Sequence, residues 1–273
     1  MRETFRIEEG AGRAAGTCAL CVVAKAPAAG RVKTRLVPPL TPEEAAALGL
    51  CFLRDACANV AGVAADADAA GVAVYTPAEA LSFFEEILPR GFYTLPQRGD
   101  SLTERLTRAT RELFAAGFSS VCLINSDSPT LPPAFIRAAA RALARPGDRL
   151  VLGPADDGGY YLAGLKRAHP RIFADIEWST PHVFAQTVEH ARSLGLEVET
   201  LPRWYDVDDA ASLARLAREL FAAQDDGATA AEKGDGAPPP RRFDAPHTRD
   251  WLEKFLQTER GRATALSALG PTG

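Results

Sequence analysis

Several things are scarce in this 273-residue chain, and each scarcity excludes a class of protein. There is no surplus of basic charge: 31 Lys and Arg against 35 Asp and Glu give a formal net charge of −4. A protein that coats nucleic acid normally shows a basic face, so no nucleic-acid partner is expected. No run approaches the roughly 18 apolar residues that a membrane span requires. No basic region followed by an apolar stretch opens the chain, so no secretion signal is read and a cytoplasmic protein is expected. Histidines number four (His169, His182, His190, His247) and form no His-x-x-x-His pattern. Cys18-x-x-Cys21 looks like half a zinc site, but no second Cys-x-x-Cys or nearby His pair completes four ligands. The pair lies inside an apolar strand pattern, which favours buried thiols over metal or redox use. No internal repeat is visible.

The chain is organised around Val121-Cys122-Leu123-Ile124-Asn125-Ser126-Asp127-Ser128-Pro129. A short apolar run ended by breakers reads as a buried strand. Asp127 then falls at the carboxyl end of that strand, the edge where open α/β sheets bind ligands. Its plainer reading is a turn or helix cap.

Strands and helices alternate along the rest. A strand is read from Thr17 to Ala24, and Thr41-Pro42-Glu43-Glu44 opens a helix to about Val60 with a cap, a proline and a capping-box glutamate. A strand follows at Val72 to Tyr75, then a helix over 78–90. Ser101-Leu102-Thr103-Glu104 is a second capping box, opening a helix through Ala116. A helix is read from Pro132 to Ala144, and strands at Leu150 to Leu152 and Tyr160 to Leu165. Thr180-Pro181 is read as the start of a helix to Leu194, followed by a strand from Leu196 to Leu201. The last helix of this set, Ala210 to Ala223, is capped by Asp209. This order predicts an α/β domain over residues 17–223, with a mostly parallel, mixed sheet and helices on both faces. Residues 1–16 are read as a flexible extension, the Ala/Gly/Pro-rich 224–245 as a linker, and 246–273 as a helical tail docking through Trp251, Phe255 and Leu252.

Three groups of residues could carry chemistry. Lys25, Arg31, Lys33 and Arg35 cluster around Pro27 and Gly30 after the first strand; small residues plus cations suit phosphates. The spacing is not a Walker A, and the plainer reading is a solvated basic turn. Asp127, Asp156, Asp157, Asp206 and Asp208 each lie at a strand end or in a loop, and parallel strands could bring them together. Such hard oxygen ligands suit Mg²⁺ or Mn²⁺. Helix capping alone would also explain Asp206 and Asp208. Gly158-Gly159 permits close backbone approach or simply a tight turn. Trp178-Ser179-Thr180 is either a helix start or the wall of an acceptor pocket.

Taken together, Lys25-Ala26-Pro27 with Gly30-Arg31-Val32-Lys33-Thr34-Arg35-Leu36, Asn125-Ser126-Asp127-Ser128-Pro129, Gly153-Pro154-Ala155-Asp156-Asp157-Gly158-Gly159-Tyr160-Tyr161, Trp178-Ser179-Thr180-Pro181 and Tyr205-Asp206-Val207-Asp208 resemble a family of small bacterial GT-A-like transferases. Its members are described as radical-SAM/selenodomain-associated transferases or arsenosugar-biosynthesis glycosyltransferases. The family belongs to the nucleotide-diphospho-sugar transferase superfamily, with a Rossmann-like fold, and is similar to phospholactate guanylyltransferase and the molybdopterin nucleotidyltransferases. The resemblance covers roughly residues 18–220. It implies that Asp127 binds the metal, with Asp208 or else Asp206 as second carboxylate. It implies that the basic loop, chiefly Lys33 and Arg35, holds nucleotide phosphates, and that Gly158 and Gly159 admit acceptor or sugar. Ser126, Trp178, Ser179 and Thr180 complete the expected substrate residues. Asp157 is the candidate base, beside Asp127 and Lys33 as the candidate catalytic set. One departure is that Lys-Ala-Pro replaces the Ala-Gly-Gly loop of sugar-nucleotide pyrophosphorylases. The expected activity is metal-dependent transfer from a nucleotide-activated sugar to a small-molecule acceptor. The alternatives are nucleotidyl transfer with release of pyrophosphate, and a non-catalytic nucleotide-binding module that uses the tail helix to hold a partner.

Overall fold

The computed structural model describes residues 5–7, 15–221, 240–258 and 260–261. Eight strands form one sheet: β1 (Phe5–Arg6), β2 (Cys18–Lys25), β3 (Ala69–Thr76), β4 (Tyr93–Pro96), β5 (Ser120–Asn125), β6 (Arg149–Pro154), β7 (Tyr160–Leu165) and β8 (Glu197–Thr200). Their spatial order is β1-β4-β3-β2-β5-β7-β6-β8. Only β7 runs antiparallel to its neighbours. A Gly-rich loop too short for a crossover helix joins it to β6, so the chain has room only to turn back. The mixed, mostly parallel sheet expected from the sequence is therefore present.

Alternation along the strands sends successive side chains to opposite faces. Leu20, Val22, Cys122 and Ile124 meet one group of helices: α1 (Pro42–Asp66), α2 (Leu81–Ile87) and α4 (Pro133–Ala144). Ala19, Cys21, Val121 and Leu123 meet α3 (Leu102–Ala115) and α5 (Val183–Ser193) on the other. Cys18 and Cys21 thus face opposite sides of β2, and both are buried free thiols, as favoured from the sequence. Helix α1 is long and apolar enough by composition to cross a membrane, which the sequence reading did not register. Its apolar face is spent in the core: Leu48, Phe52, Leu53 and Val63 are all essentially inaccessible.

A third core cluster closes one end. Leu48 and Phe52 of α1 pack with Leu213, Leu216 and Leu220 of α6 (Ala210–Phe221), and with Leu252 and Phe255 of α7 (Pro246–Leu256). Asp55, buried on α1, accepts from the backbone N–H of His247 (3.0 Å) and Thr248 (2.8 Å), so it caps the start of α7 from another helix. Burial raises the Asp55 pKa, against the pull of those bonds. Leu252 and Phe255 dock as expected, while Trp251 stays half-buried and stacks on Phe255.

Three expectations need correction. Phe5–Arg6, placed in the flexible extension, pairs in parallel with β4, and Ile7 is buried. Strand β4 was not anticipated, because it is four residues long and ends in Pro96. The helix expected from Thr180 begins at Val183 without a side-chain cap; Thr180 instead bonds the Glu177 carbonyl (2.7 Å) within a turn. Most of residues 1–16 and of the 224–245 linker lie outside the described residues.

Candidate active site

Strands β2, β5, β6 and β8 deliver their carboxyl ends to one edge, and the loops that leave them form the site. Asp127 follows β5, and its carbonyl accepts from the Val207 N–H (2.9 Å). That bond ties the loop after β8 to the loop after β5. The third participant comes from the basic loop after β2. Lys33 donates to Asp127 Oδ1 (2.7 Å), Asp208 Oδ1 (2.8 Å) and the Val207 carbonyl (2.8 Å). Its side chain is only 7% exposed and its ammonium lies 5.4 Å from the centre of the Phe52 ring. Burial alone would lower the Lys33 pKa, but the two carboxylates outweigh it and raise it above 10.5. Burial likewise opposes the Asp208 charge, and Lys33 overcomes it, holding that carboxyl below its usual value. The Lys33 backbone is left-handed (φ 50°), a conformation that costs a non-glycine residue about 1 kcal/mol or more.

Two cavities meet at this edge. The first, about 320 Å³, is lined by Lys25, Pro27, Arg31, Lys33, Ser126, Asp127 and Asp208, together with Gln97 and Arg105. Lys25 closes the basic loop on itself by donating to the Arg31 carbonyl (3.1 Å). The second, about 270 Å³, is lined by Asp157, Gly159, Tyr160, Tyr161, Trp178, Ser179, Thr180 and Asp206, with Asn125 and Leu102. Trp178 is fixed there: its indole N–H donates to Thr103 Oγ1 (2.8 Å), whose hydroxyl donates to the Phe173 carbonyl (2.8 Å). Asp157 accepts from the Gly159 N–H (2.8 Å). Burial, then repulsion by Asp208 and Asp157, pushes the Asp206 carboxyl up to about 7.

The structure sorts the sequence candidates differently from their motifs. Lys33 was expected among the phosphates; it lies instead between the two carboxylates expected to hold the metal, since these offer the densest negative charge within its reach. Asp206 was a candidate partner of Asp127; it lines the second cavity, whereas Asp208 shares Lys33 with Asp127. Arg35 lines neither cavity: its side chain is 72% exposed, 3.9 Å from Asp209. Gly30 turns the loop at φ 70° and lines neither cavity. Gly158, expected to admit acceptor or sugar, lines neither cavity. At φ 89°, a Cβ there would lie 2.4 Å from the Pro181 carbonyl oxygen, so glycine is needed to seat one loop on another. Asp156 is held by Arg215 (2.8 Å), which also stacks on Tyr205.

Gln97, Arg105 and Asn125 were missed as site residues. Gln97 appears in the sequence only within a turn, and Arg105 only on a capped helix. Their neighbourhood depends on where β4 and α3 lie in the sheet. The spacing Leu102–Leu106 was the one available signal: it places both leucines on one face of α3, towards the second cavity, with Arg105 beside the first.

Residues 59–180 match the family model described as "Uncharacterized protein conserved in bacteria (DUF2064)". No curated protein matches the sequence. Among solved structures, the chain is similar to a Desulfovibrio desulfuricans G20 protein provisionally named a nucleotide-diphospho-sugar transferase. The identity is 27%, over 93% of this chain and 98% of that one, with a TM-score of 0.73. Fainter likenesses are to a CMP:2-keto-3-deoxy-manno-octonic acid synthetase solved with CTP (13% identity, 76% of this chain and 99% of that one, TM-score 0.47). Another is to the 4-diphosphocytidyl-2C-methyl-D-erythritol synthase of Anaerococcus prevotii DSM 20548 (9% identity, 71% and 92%, TM-score 0.44). Matched over nearly its whole length by the Desulfovibrio structure, the chain has the nucleotide-diphospho-sugar transferase fold, the superfamily to which its motifs point.

Proposed function

We propose that this protein is a cytoplasmic, metal-dependent transferase that moves a sugar from a nucleotide-activated donor to a small-molecule acceptor. The observation that carries this reading is a pair of unlike cavities that share Val23 of β2, one lined by Lys25, Arg31, Lys33, Arg105 and Asp127, the other by aromatic rings and carboxylates. The basic cavity suits a diphosphate. Its neighbour offers an acceptor a place beside the same strand end.

The donor set fits a divalent cation. Asp127, Asp208 and the Val207 carbonyl are hard oxygen ligands gathered around one point. Among the described residues no group of three His, Cys, Asp or Glu is arranged for a metal. Mg²⁺ commonly uses one or two carboxylates and takes its remaining ligands from substrate phosphates and water. When bound, the cation would neutralise charge on the departing diphosphate. For it to enter, Lys33 must leave the carboxylates, and the phosphates of the adjoining cavity are its alternative partners. Ser126, beside Asp127, lines that cavity too. Asp157 accepts the proton of the acceptor hydroxyl as that oxygen bonds to the anomeric carbon. The bond from the anomeric carbon to the diphosphate oxygen breaks, and its electron pair leaves with the nucleoside diphosphate.

A second reading, nucleotidyl transfer with release of pyrophosphate, is favoured by the cationic side chains of the first cavity, which suit a triphosphate equally well. Thermal unfolding with Mg²⁺ or Mn²⁺, comparing nucleoside triphosphates with nucleoside-diphosphate sugars, separates the two. A ligand held only by the folded protein at 100 times its Kd stabilises it by about 2.7 kcal/mol. Metal-dependent stabilisation by a diphospho-sugar, lost in Asp127→Asn, is the expected result. Stabilisation by triphosphates alone would replace glycosyl by nucleotidyl transfer. Neither ligand binding to folded protein, or Asp127→Asn turning over at the wild-type rate, would sink the metal-dependent mechanism.

A further inference from the structure

We infer that the acceptor taken by the second cavity is an uncharged or cationic hydroxyl or amine compound, and not a phosphorylated or carboxylated one, because aromatic walls and two carboxylates meet there without a lining cation. The inference deepens the reading of this edge as a transferase site and rests on it.

The charges at the edge are sharply divided. Lys25, Arg31, Lys33 and Arg105 all line the first cavity, and among the described residues no Lys, Arg or His lines the second. Two basic groups close to its walls are engaged elsewhere. Arg203 donates to the Ala155 carbonyl (2.7 Å), and Arg215 holds Asp156 (2.8 Å) while stacking on Tyr205. Lys33 is across the edge, on Asp127 and Asp208. An anionic acceptor would meet Asp157, and Asp206 to the extent that it is ionised, with no partner for its own charge. Like charges repel more strongly in a partly desolvated site than in water.

The remaining lining is what a neutral or cationic polyol or amine would use. Tyr160 and Trp178 meet edge to face (centroids 6.4 Å apart), with the indole fixed through Thr103. Such rings cover the apolar face of a sugar-like ring or attract a cation. Asn125 Oδ1 is buried without a hydrogen-bond partner and belongs to the lining, so it is an acceptor waiting for a hydroxyl or ammonium donor. Ionised carboxylates are acceptor-only groups, so Asp157 also prefers a substrate that donates.

The test reads the sign of the potential directly. Ser179 is exposed in the lining, and Ser179→Cys changes one atom. Its labelling rates with a trimethylammonium-ethyl and a sulfonato-ethyl methanethiosulfonate are measured on the full chain. The wild-type background is subtracted and the ratio is normalised to that of free glutathione. Thr180→Cys repeats the measurement from a second lining position. A preference of roughly tenfold for the cationic reagent is expected, as potentials of a few kT produce. It should fall towards unity when Asp157 and Asp206 are both changed to Asn. A ratio at or below unity in both cysteine variants would overturn the inference. No nucleotide is needed for labelling, so the result stands apart from whether the first cavity binds a donor.

Discussion

Lys33 is the residue on which most of the site turns. A lysine ammonium held by two carboxylates and a carbonyl is a compact charge in a place that also suits a divalent ion. The two compete. Replacing it with a side chain of similar length and no charge, Lys33→Met, removes the competitor. In the absence of nucleotide, Mn²⁺ should then bind at least about tenfold more tightly by electron paramagnetic resonance titration, since an opposing unit charge within a few ångströms is worth more than 1 kcal/mol even near a surface. The same variant should bind nucleotide more weakly, because the ammonium is lost to the phosphates. Unchanged Mn²⁺ affinity would show that Lys33 and the metal do not share a position. Gly158 gives a second expectation. In Gly158→Ala the new Cβ strains a left-handed backbone and meets the Pro181 carbonyl. The 178–183 segment, which carries Trp178, Ser179 and Thr180, must shift. Acceptor KM should rise by an order of magnitude or more, as a displacement of about 1 Å commonly produces, while the thermal shift with donor nucleotide stays at its wild-type value.

At the scale of elements, a single buried carboxylate of α1 caps the start of α7, beside the apolar packing of Leu252 and Phe255. Asp55 accepts two backbone N–H groups at the start of α7, where the first turn has no partners of its own. Asp55→Ala leaves the buried Thr248 N–H and the partly buried His247 N–H without this partner and should cost about 1–3 kcal/mol in urea unfolding. The pH dependence carries a distinct signature. The folded pKa of Asp55 is raised above 3.8, so between the unfolded and folded values the folded state holds more protons. Its contribution to stability therefore falls as pH rises through that window. Wild type should lose stability relative to Asp55→Asn on going up through that window, and a constant difference would contradict the raised value. The elements themselves were legible where local signals agree. Thr41 and Glu44 form the reciprocal capping box expected, and Asp209 caps α6 through the Ser212 N–H (2.8 Å). They were less legible where a strand is short or a cap is absent. β4 was unread for the first reason, and α5 was begun three residues early for the second.

Across the whole molecule, the tail and the site share one core. Leu252 of α7 packs into the cluster that holds Phe52 beneath Lys33 and Val207 beside Asp208. Leu252→Ala should cost about 2–5 kcal/mol. If the cluster positions the loop after β8, the variant should also weaken nucleotide binding under conditions where it remains folded, measured by titration calorimetry. Loss of stability with unaltered affinity would confine α7 to a structural role.

The sequence by itself determined the strands and helices that announce themselves locally, the parallel character of the sheet, and the arrival of acidic and basic groups at one edge. These follow from short-range physics: apolar periodicity, caps and breakers act within a few residues, and parallel strands with crossover helices present their carboxyl ends together. Only the tertiary structure decided how those groups divide. Two aspartates separated by one residue, Asp206 and Asp208, line different cavities while their carboxyls stay within hydrogen-bonding reach of each other, and the backbone between them is anchored by the Val207–Asp127 hydrogen bond. Lys33 sits among carboxylates 94 and 175 residues further along the chain, a choice set by burial and electrostatics across three loops and by nothing in its own motif.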